Sequence, residues 1–290
     1  MRLKADLILL MVAVIWGTTF ITQGIAAQYH TAYLYNGTSF LAAGVILSIY
    51  LRGKKQVVKG QWKWMVLAGV ILFIASALQQ VGIQYTKIAN AGFITSLYTV
   101  FTPFLLWIGF KERPHHLDLA AVIIASLGAY LLSTSGSFQM HAGDNLELIG
   151  AVFWSLHFVV LGKFASRYEP LSFSAGQFVI CGLLNLGMGF FLENLNLLTP
   201  LPVLGAVAYR AILAVLVGYT LQVWGQRHTP PTDAALILAL EAVFAAICGW
   251  ILLSQALQPI QIAGCLIIFF GVLLSQFKTL PFATQGVKND

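Results

Sequence analysis

The chain has 290 residues, of which 59% are hydrophobic and 9% are charged, and its formal net charge is +6. Soluble domains carry about 25% charged residues, so this composition excludes an ordinary soluble protein and indicates an integral membrane protein. The apolar runs are continuous rather than alternating, which excludes a membrane β-barrel and favours helices. Three cysteines lie inside these runs without metal-ligand spacing, so the sequence predicts neither a disulfide nor a metal site.

Apolar stretches separated by polar breaks predict ten membrane-spanning helices, each near the roughly 20 residues that a helix needs to cross a bilayer. In chain order, the predicted spans cover residues 5–26, 32–51, 64–84, 90–110, 117–134, 146–165, 171–192, 202–224, 232–253 and 259–277. Most of the short connections between them carry Pro, Gly or Asn, which are typical of loops.

The distribution of basic residues tests the number of spans and predicts an orientation. With ten spans, both termini and every loop from an even-numbered to an odd-numbered span lie on one side of the membrane. That side holds the following basic residues: Arg2, Lys4, Arg52, Lys54, Lys55, Lys59, Lys63, Lys111, Arg113, Lys163, Arg167, Arg227, Lys278 and Lys288. The other side holds Lys87, and Arg210 lies inside the eighth span. Because Lys and Arg are retained in cytoplasmic loops, we expect both termini to be cytoplasmic. We expect no nucleic-acid partner.

An internal repeat divides the chain into two halves of five spans. The third and fourth spans align without a gap with the eighth and ninth, which pairs Thr86 with Thr229 and Tyr98 with Glu241; we call this the third-span alignment. A second alignment places "AVIWGTTF" in the first span on "AVFWSLHF" in the sixth, and we call it the first-span alignment. Because each half has an odd number of spans, the second copy is inverted across the membrane, which is a transporter architecture.

At this point the sequence resembles the drug/metabolite transporter superfamily, and within it the EamA-like transporters. The resemblance covers essentially the whole chain. It is carried by "AVIWGTTF" and "TSLYTVFTPFLLWIGFKERPHHLDLAAVIIASLGAYLLS" in the first half and by "AVFWSLHF" and "LALEAVFAAICGWILLSQALQPIQIAGCLIIFFGVLLS" in the second. It implies EamA-like five-helix repeats at 1–135 and 146–278, followed by a cytoplasmic tail at 279–290. It also implies a small organic solute, such as an amino acid, a metabolite or an amphipathic drug.

The chain departs from the family pattern at several positions. Members commonly carry a Pro inside the fourth and ninth spans and a Glu at the ends of those spans, and Pro103 and Glu112 fit this pattern. In the second half the Pro is replaced near Ala242, and Gln255 stands where a Glu is usual. Ser39 stands near the place of an Arg that is often found early in the second span. These motifs indicate the family without naming a substrate.

Polar and aromatic side chains within the spans are the candidates for a solute site, because polar groups inside a membrane tend to face a partner or a cavity. Helical spacing places Trp16, Thr19 and Gln23 on one face of the first span, and Trp154 and His157 on the equivalent face of the sixth. The predicted substrate-binding residues are Glu241, Trp16, Thr19, Tyr98, Gln79, Gln80, Trp154, His157, Arg210, Asn36, Thr95 and Phe244. Further polar positions on these spans are Ser39, Gln84, Thr102, Tyr219 and Gln222. For each Thr or Gln, the alternative is a hydrogen bond to a neighbouring helix, worth about 0.6–2 kcal/mol.

Two charged residues lie deep in consecutive antiparallel spans. Glu241 lies roughly 14 Å from the inner start of the ninth span, and Arg210 lies roughly 12 Å from the outer start of the eighth. Three alternatives follow from this placement. The two side chains form a static ion pair, or they bind the cationic and anionic groups of a zwitterion, or Glu241 carries a proton during transport.

The sequence therefore predicts a multi-pass secondary transporter of the inner membrane that moves an amino acid or related compound by alternating access, in the direction of export. We expect no cofactor and no catalytic residue, and a proton is the candidate coupling ion. A multidrug or amphipathic cation exporter is the alternative within the same class. A membrane-embedded enzyme would need clustered catalytic or metal-binding groups, and a channel or scaffold would lack a saturable, counter-transportable flux.

Overall fold

The computed structural model describes residues 1–54, 61–135, 139–198, 200–253 and 256–277. Within these residues, ten helices are long and apolar enough to cross a membrane. In chain order the spans are Arg2–Gln28; Ala32–Tyr50; Gln61–Ile83; Ile88–Ser96 with Tyr98–Phe110; His116–Thr134; Asp144–Lys163; Pro170–Leu192; Leu201–Tyr209 with Arg210–Tyr219 and Thr220–Gly225; Pro231–Leu238 with Glu241–Leu253; and Pro259–Phe277. The predicted tail at 279–290 and Gln255 lie outside the described residues. The prediction of an all-α membrane protein with ten spans in two five-helix repeats is confirmed.

The spans begin and end within three residues of the predicted bounds, because the same physical constraint sets both. A chain inside hydrocarbon must satisfy its backbone hydrogen bonds internally, so a continuous apolar run becomes a continuous helix. Three spans begin at Pro170, Pro231 and Pro259. Proline suits the first position of a helix, because its missing N–H would have no partner inside the helix there.

The two halves interlock rather than lying side by side. The first span packs against the eighth and ninth, and the sixth span packs in the same way against the third and fourth. The second and seventh spans pack against each other, and in this pair Gly44 faces Val179 and Gly182 faces Leu41. The first-span alignment, continued into the second span, relates these two contacts. Glycine at each position lets the helix backbones approach closely.

The loops collect at two ends of the bundle in the arrangement that ten spans require. At one end, which we call the basic end, Lys163 at the end of the sixth span pairs with Glu112 after the fourth. At the other, which we call the acidic end, the Gly143 amide donates a hydrogen bond to the Tyr85 carbonyl at 3.2 Å. The cytoplasmic location of the basic end stays a prediction from the distribution of Lys and Arg.

Three of the central spans contain irregular turns. The fourth span is interrupted at Leu97 and the ninth at residues 239–240, so new helical segments begin at Tyr98 and Glu241. In the fourth span the hydroxyls of Ser96 and Thr99 bond carbonyls one turn earlier, at 2.6 and 2.8 Å. The eighth span changes to a π-helix over Arg210–Tyr219. π-Helical segments are rare in proteins, and those that occur are often found at functional sites.

Candidate solute-binding cavity

The two interrupted spans bring their repeat-related residues together at the centre of the bundle. Tyr98 and Glu241 each begin the second helical segment of their span. The Tyr98 hydroxyl donates a hydrogen bond of 3.2 Å to Glu241 Oε1, although the two residues lie in different halves of the chain. The repeat therefore places these positions at the junction of the two halves, where inverted-repeat transporters have their substrate site.

A small cavity surrounds this hydrogen bond. Its volume is about 40 Å³, enough for a few water molecules, since one water occupies about 10–15 Å³ of such volume. Eight of the twelve predicted site residues line it: Trp16, Thr19, Gln79, Thr95, Tyr98, Trp154, Arg210 and Glu241. Four repeat-related pairs are represented, because Trp16 corresponds to Trp154, Phe20 to Phe158, Gln79 to Gln222 and Tyr98 to Glu241.

The other four predicted residues lie outside the cavity lining, and three of them form hydrogen bonds between spans. Asn36 Nδ2 donates to the Ser76 carbonyl at 2.8 Å, and Gln80 Nε2 donates to the Gln23 carbonyl at 3.0 Å. His157 Nε2 lies 3.0 Å from Gln177 Oε1. The fourth residue, Phe244, packs against the first span.

Six further residues line the cavity: Phe20, Gln23, Phe158, Ala214, Tyr219 and Gln222. The helical pattern had placed Gln23, Tyr219 and Gln222 among the polar positions. The first-span alignment matches Phe20 with Phe158, but neither was predicted, and Ala214 gave no signal, because apolar residues are the norm in a span. Tyr219 forms an aromatic wall of the cavity together with Trp16 and Trp154. Its ring centroid lies 4.6 Å from that of Trp16 and 6.2 Å from that of Trp154.

Glu241 and Arg210 line the same cavity without forming an ion pair. Among the described residues, no ion pair within 4.0 Å joins them, so the static-pair alternative does not match this structure. Arg210 instead stacks its guanidinium over the rings of Tyr35 and Phe40, at 4.9 and 5.5 Å from the ring centroids. Within the described part of the chain, its Nε has no hydrogen-bond partner. The cavity therefore offers a ligand one carboxyl group and one guanidinium group at separate places.

The two cavity tryptophans have different hydrogen-bond partners. Trp154 Nε1 donates to Gln79 Oε1 at 2.9 Å, and Gln79 Nε2 donates to Gln23 Oε1 at 3.3 Å. Trp16 Nε1 donates instead to the Ala214 carbonyl in the π-helix, at 3.2 Å. Gln222, the counterpart of Gln79, has an Oε1 that accepts no hydrogen bond from any described residue. The π-helix side of the cavity therefore keeps a free acceptor that the other side has used.

A hydrogen-bonded cluster closes each end of the bundle, and the repeat relates the two clusters. At the basic end, Thr229 Oγ1 donates to Asp6 Oδ1 at 2.7 Å, and we call this contact the basic-end clamp. At the acidic end, Thr86 Oγ1 donates to Asp144 Oδ1, and we call this contact the acidic-end clamp. The third-span alignment pairs the two threonines, and the first-span alignment pairs the two aspartates. The pairing of the threonines was predicted, whereas the aspartates were overlooked.

The basic-end clamp carries additional charges. Arg2 Nε lies 3.0 Å from Asp6, and Arg2 Nη2 lies 2.7 Å from Asp233 Oδ2. At the acidic end the corresponding positions hold Met140 and Asn90. The basic end is therefore closed by ion pairs to Arg2, whereas at the acidic end Asp144 accepts hydrogen bonds from the Thr86 hydroxyl and the His141 amide.

Known proteins share this architecture along its whole length. The EamA-like transporter family matches residues 3–134 and 141–277. An uncharacterized transporter of Archaeoglobus fulgidus is 31% identical over 277 residues, covering 96% of this chain and 87% of the relative. The uncharacterized inner membrane transporter YedA of Escherichia coli is 24% identical, covering 94% of this chain and 91% of the relative. A crystal structure of a protein with 19% identity has the same fold, with a TM-score of 0.80 over 99% of this chain and 100% of that chain.

Proposed function

We propose, from the premise that the chain belongs to the EamA-like transporter family and is a multi-pass protein of the inner membrane, that it carries a small zwitterion. The solute class is an amino acid or related compound, the mechanism is alternating access and the direction is export. The observation that carries the proposal is that Glu241 and Arg210 line one cavity without pairing.

The residues around the cavity suit the two ends of such a solute. An ammonium group can bind the Glu241 carboxylate, which the Tyr98 hydroxyl already orients. A carboxylate can accept hydrogen bonds from the Arg210 guanidinium, whose planar set of donors matches carboxylate geometry. The rings of Trp16 and Tyr219 provide an apolar wall for the side chain of the solute. Each part of the ligand therefore has a partner of complementary chemistry.

The size of the cavity supports a carrier rather than an open channel. A volume of about 40 Å³ is too small for an amino acid, and the clamps at both ends are closed. Binding therefore requires the central spans to separate, and passage requires one clamp to open at a time. The interrupted fourth and ninth spans allow such movement, because a helix break lets the two segments of a span reorient.

The test is ligand-dependent thermal stability of the detergent-purified protein against amino acids, amines and nucleosides. A ligand at a hundredfold excess over its dissociation constant stabilises the folded state by about 2.7 kcal/mol. We expect an amino acid to raise the melting temperature of the wild type and to have no effect on Glu241→Gln or Arg210→Gln. If amino acids stabilise all three proteins equally, or stabilise none of them, the zwitterion site is wrong.

The same panel tests the amphipathic cation alternative, which the aromatic walls and the single acid of the cavity favour. An amphipathic amine without a carboxylate would then stabilise the wild type and Arg210→Gln alike, and fail to stabilise Glu241→Gln.

The direction of transport is measured separately, with cells that are loaded with the stabilising compound. Wild-type cells should lose the compound faster than cells that carry Glu241→Gln, whereas faster uptake would indicate import.

A further inference from the structure

We infer that Glu147 is a proton-binding site on the acidic-end side of the cavity, through which transport is coupled to a proton gradient. The inference goes beyond the solute site and rests on the proposed transport function. It concerns a carboxyl group that neither the cavity nor the clamps use. The contacts of this group, its connection to the cavity and its counterpart in the other repeat support it independently.

The first support is the environment of the carboxyl group. Glu147 lies one turn inside the sixth span and is fully buried. Thr95 Oγ1 donates a hydrogen bond of 3.0 Å to Glu147 Oε2, whereas Oε1 has no hydrogen-bond partner among the residues that the structure describes. Gly82 of the third span leaves the space that this carboxyl occupies, because a side chain there would overlap with Oε1. The Glu147 Oε1 atom is therefore a buried acceptor that is available to bind a proton.

The second support is the position of Glu147 between the cavity and the acidic end. Thr95, its hydrogen-bond donor, lines the cavity three residues before Tyr98. In the other direction, Asp144 lies one turn from Glu147, and its Oδ2 accepts a hydrogen bond of 2.7 Å from the amide of His141. The His141 side chain keeps 29% of its surface exposed. Glu147 thus lies between a solvent-accessible imidazole and the solute site.

The third support comes from comparing the surroundings of Glu147 with the equivalent positions in the other repeat. The position of Glu147 corresponds to Leu9, and that of Gly82 corresponds to Gly225. Leu9 packs against Gly225 as Glu147 packs against Gly82. The position of Thr95 corresponds to Leu238, which is also fully buried. Because two leucines fill the same place in the other repeat, the packing does not require a carboxyl group there.

The charges around Glu147 identify a proton rather than a metal ion as the ligand. On its own span the other titratable groups are Asp144, His157 and Lys163, of which His157 and Lys163 lie two or more turns further along. The third span carries Lys63 at its opposite end, and the segment Ile88–Ser96 carries no titratable side chain. Metal ions such as Ca²⁺ take six or more oxygen ligands, and among the described residues no three His, Cys, Asp or Glu gather.

The step is a reversible protonation that breaks and forms one O–H bond. With the acidic end open, the Glu147 carboxylate takes a proton from hydronium in the medium near His141, which leaves water, and becomes a neutral acid. With the acidic end closed and the basic end open, the acid gives the proton to cavity water beside Thr95, which passes it to the medium at the basic end, and the carboxylate is restored. One proton therefore crosses in the direction opposite to the exported solute.

The experiment uses liposomes that contain the full chain and, as the probe, the amino acid found in the stability panel. Two fluxes are measured: exchange of labelled for unlabelled solute at equal pH, and accumulation driven by a pH gradient. We expect Glu147→Leu, the substitution that copies Leu9, to retain exchange and to lose the accumulation. Glu147→Gln, which keeps an acceptor for Thr95, should behave in the same way and decides the case if the leucine variant misfolds.

Accumulation that persists in both variants, or that follows a sodium gradient in the wild type, would overturn the inference. If the wild type shows no flux at all, the proposed transport function fails, and the proton site is judged by infrared titration instead. The wild type should then show a carboxyl C=O band that changes with pH, is retained in Glu241→Gln and is lost in Glu147→Leu. An identical titration in the wild type and Glu147→Leu would refute the proton site.

Discussion

The basic and acidic ends of the bundle are built on the same scaffold and differ in the chemistry attached to it. Each end has a threonine bonded to an aspartate at the start of a span, Thr229 with Asp6 and Thr86 with Asp144. Each also has a glycine that receives a side chain from the crossing span, and that side chain is Leu9 at the basic end and Glu147 at the acidic end. The Thr–Asp hydrogen bond and the glycine occur at both ends, so we infer that they serve to close the bundle.

The differences between the ends separate structural from functional requirements. Ion pairs to Arg2 strengthen the basic-end clamp, and the buried side chains of Leu9 and Leu238 lie beneath it. The acidic-end clamp has no arginine at the corresponding position, and a carboxyl and a hydroxyl replace the two leucines. A carrier needs ends of similar stability, so that neither stays open or closed permanently. Different chemistry on one scaffold can provide that balance and also give each end a separate role.

The largest effect on stability is expected from placing a buried carboxyl at the basic end, where the repeat has a leucine. Leu9→Glu places an acid against Gly225 without a donor, and an uncompensated buried charge costs about 3–5 kcal/mol. We expect a large fall in the melting temperature, or a loss of folded protein. Adding Leu238→Thr recreates the pair formed by Thr95 and Glu147, and should recover part of the loss. The reciprocal Glu147→Leu leaves only the neutral Thr95 hydroxyl without its acceptor, at a cost of about 1–3 kcal/mol, and should therefore lower the stability less than Leu9→Glu. An equal loss in both directions would contradict the comparison.

A smaller effect is expected from giving the basic end the residues of the acidic end. Arg2→Met removes the ion pairs to Asp6 and Asp233, and copies Met140. Because the Arg2 side chain is 28% exposed, we expect a loss of about 2–3 kcal/mol, below the range for a fully buried pair. Adding Asp233→Asn, which copies Asn90, removes the buried charge and should restore most of the stability.

The control for this substitution is Lys4→Met, which removes a cation from the same end of the same span. Lys4 lies over the Trp224 ring, 5.8 Å from its centroid, and takes no part in the clamp. Thermal unfolding in detergent should show a shift for Arg2→Met and little change for Lys4→Met. Equal shifts would mean that net charge, rather than the ion pairs, determines the stability of this end.

A third comparison concerns the two repeat-related glutamines of the cavity. Gln79→Leu leaves the Trp154 N–H and the Gln23 side-chain oxygen without their partner, and an unsatisfied buried group costs about 1–3 kcal/mol. Gln222→Leu should cost less than about 1 kcal/mol, because its Oε1 has no partner to lose. If Gln222 keeps that acceptor for the solute, its substitution should weaken ligand-dependent stabilisation more than it lowers the melting temperature. Equal losses of stability in the two variants would remove this distinction.

Hydropathy and the repeat predicted the fold well, because membrane insertion and backbone hydrogen bonding leave few alternatives to a helix. The pairing of Tyr98 with Glu241 was readable from the alignment, and their hydrogen bond lies where that pairing places it. The helix breaks before these residues were not predicted. "ITSLYTV" and "LALEAVF" contain no Gly or Pro, so the usual sequence signals of a helix break are missing at both places.

The site predictions were limited because helical periodicity gives a face without giving its neighbour. His157 shares a face with Trp154, yet it bonds Gln177 and lies outside the cavity lining. Glu147 was overlooked because an acid one turn inside a span resembles a solvated helix end. The signal that could have found it is the first-span alignment, which pairs this acid with Leu9 in an apolar run.

The smallest effect is expected at two carboxylates that cap the repeat-related second and seventh spans. Glu193 accepts hydrogen bonds of 2.8 Å from the amides of Tyr33 and Leu34, whereas Glu169 caps its own helix through the Ser172 amide at 2.6 Å. Burial raises the pKa of Glu193 above its ordinary value, although those amides oppose the shift. A raised pKa in the folded state means that the folded protein binds the proton more tightly than the unfolded chain.

Stability should therefore fall as the pH rises from the ordinary glutamate pKa of about 4.3 through the higher pKa of folded Glu193. Because Glu193 is only half buried, we expect less than about 1 kcal/mol. Glu193→Gln cannot ionise, so its melting temperature relative to the wild type should rise across this pH range. Glu169→Gln serves as the matched control for removing a capping carboxylate. If Glu193→Gln loses stability relative to the wild type as the pH rises, the carboxylate is favoured in the folded state and the expected sign is wrong.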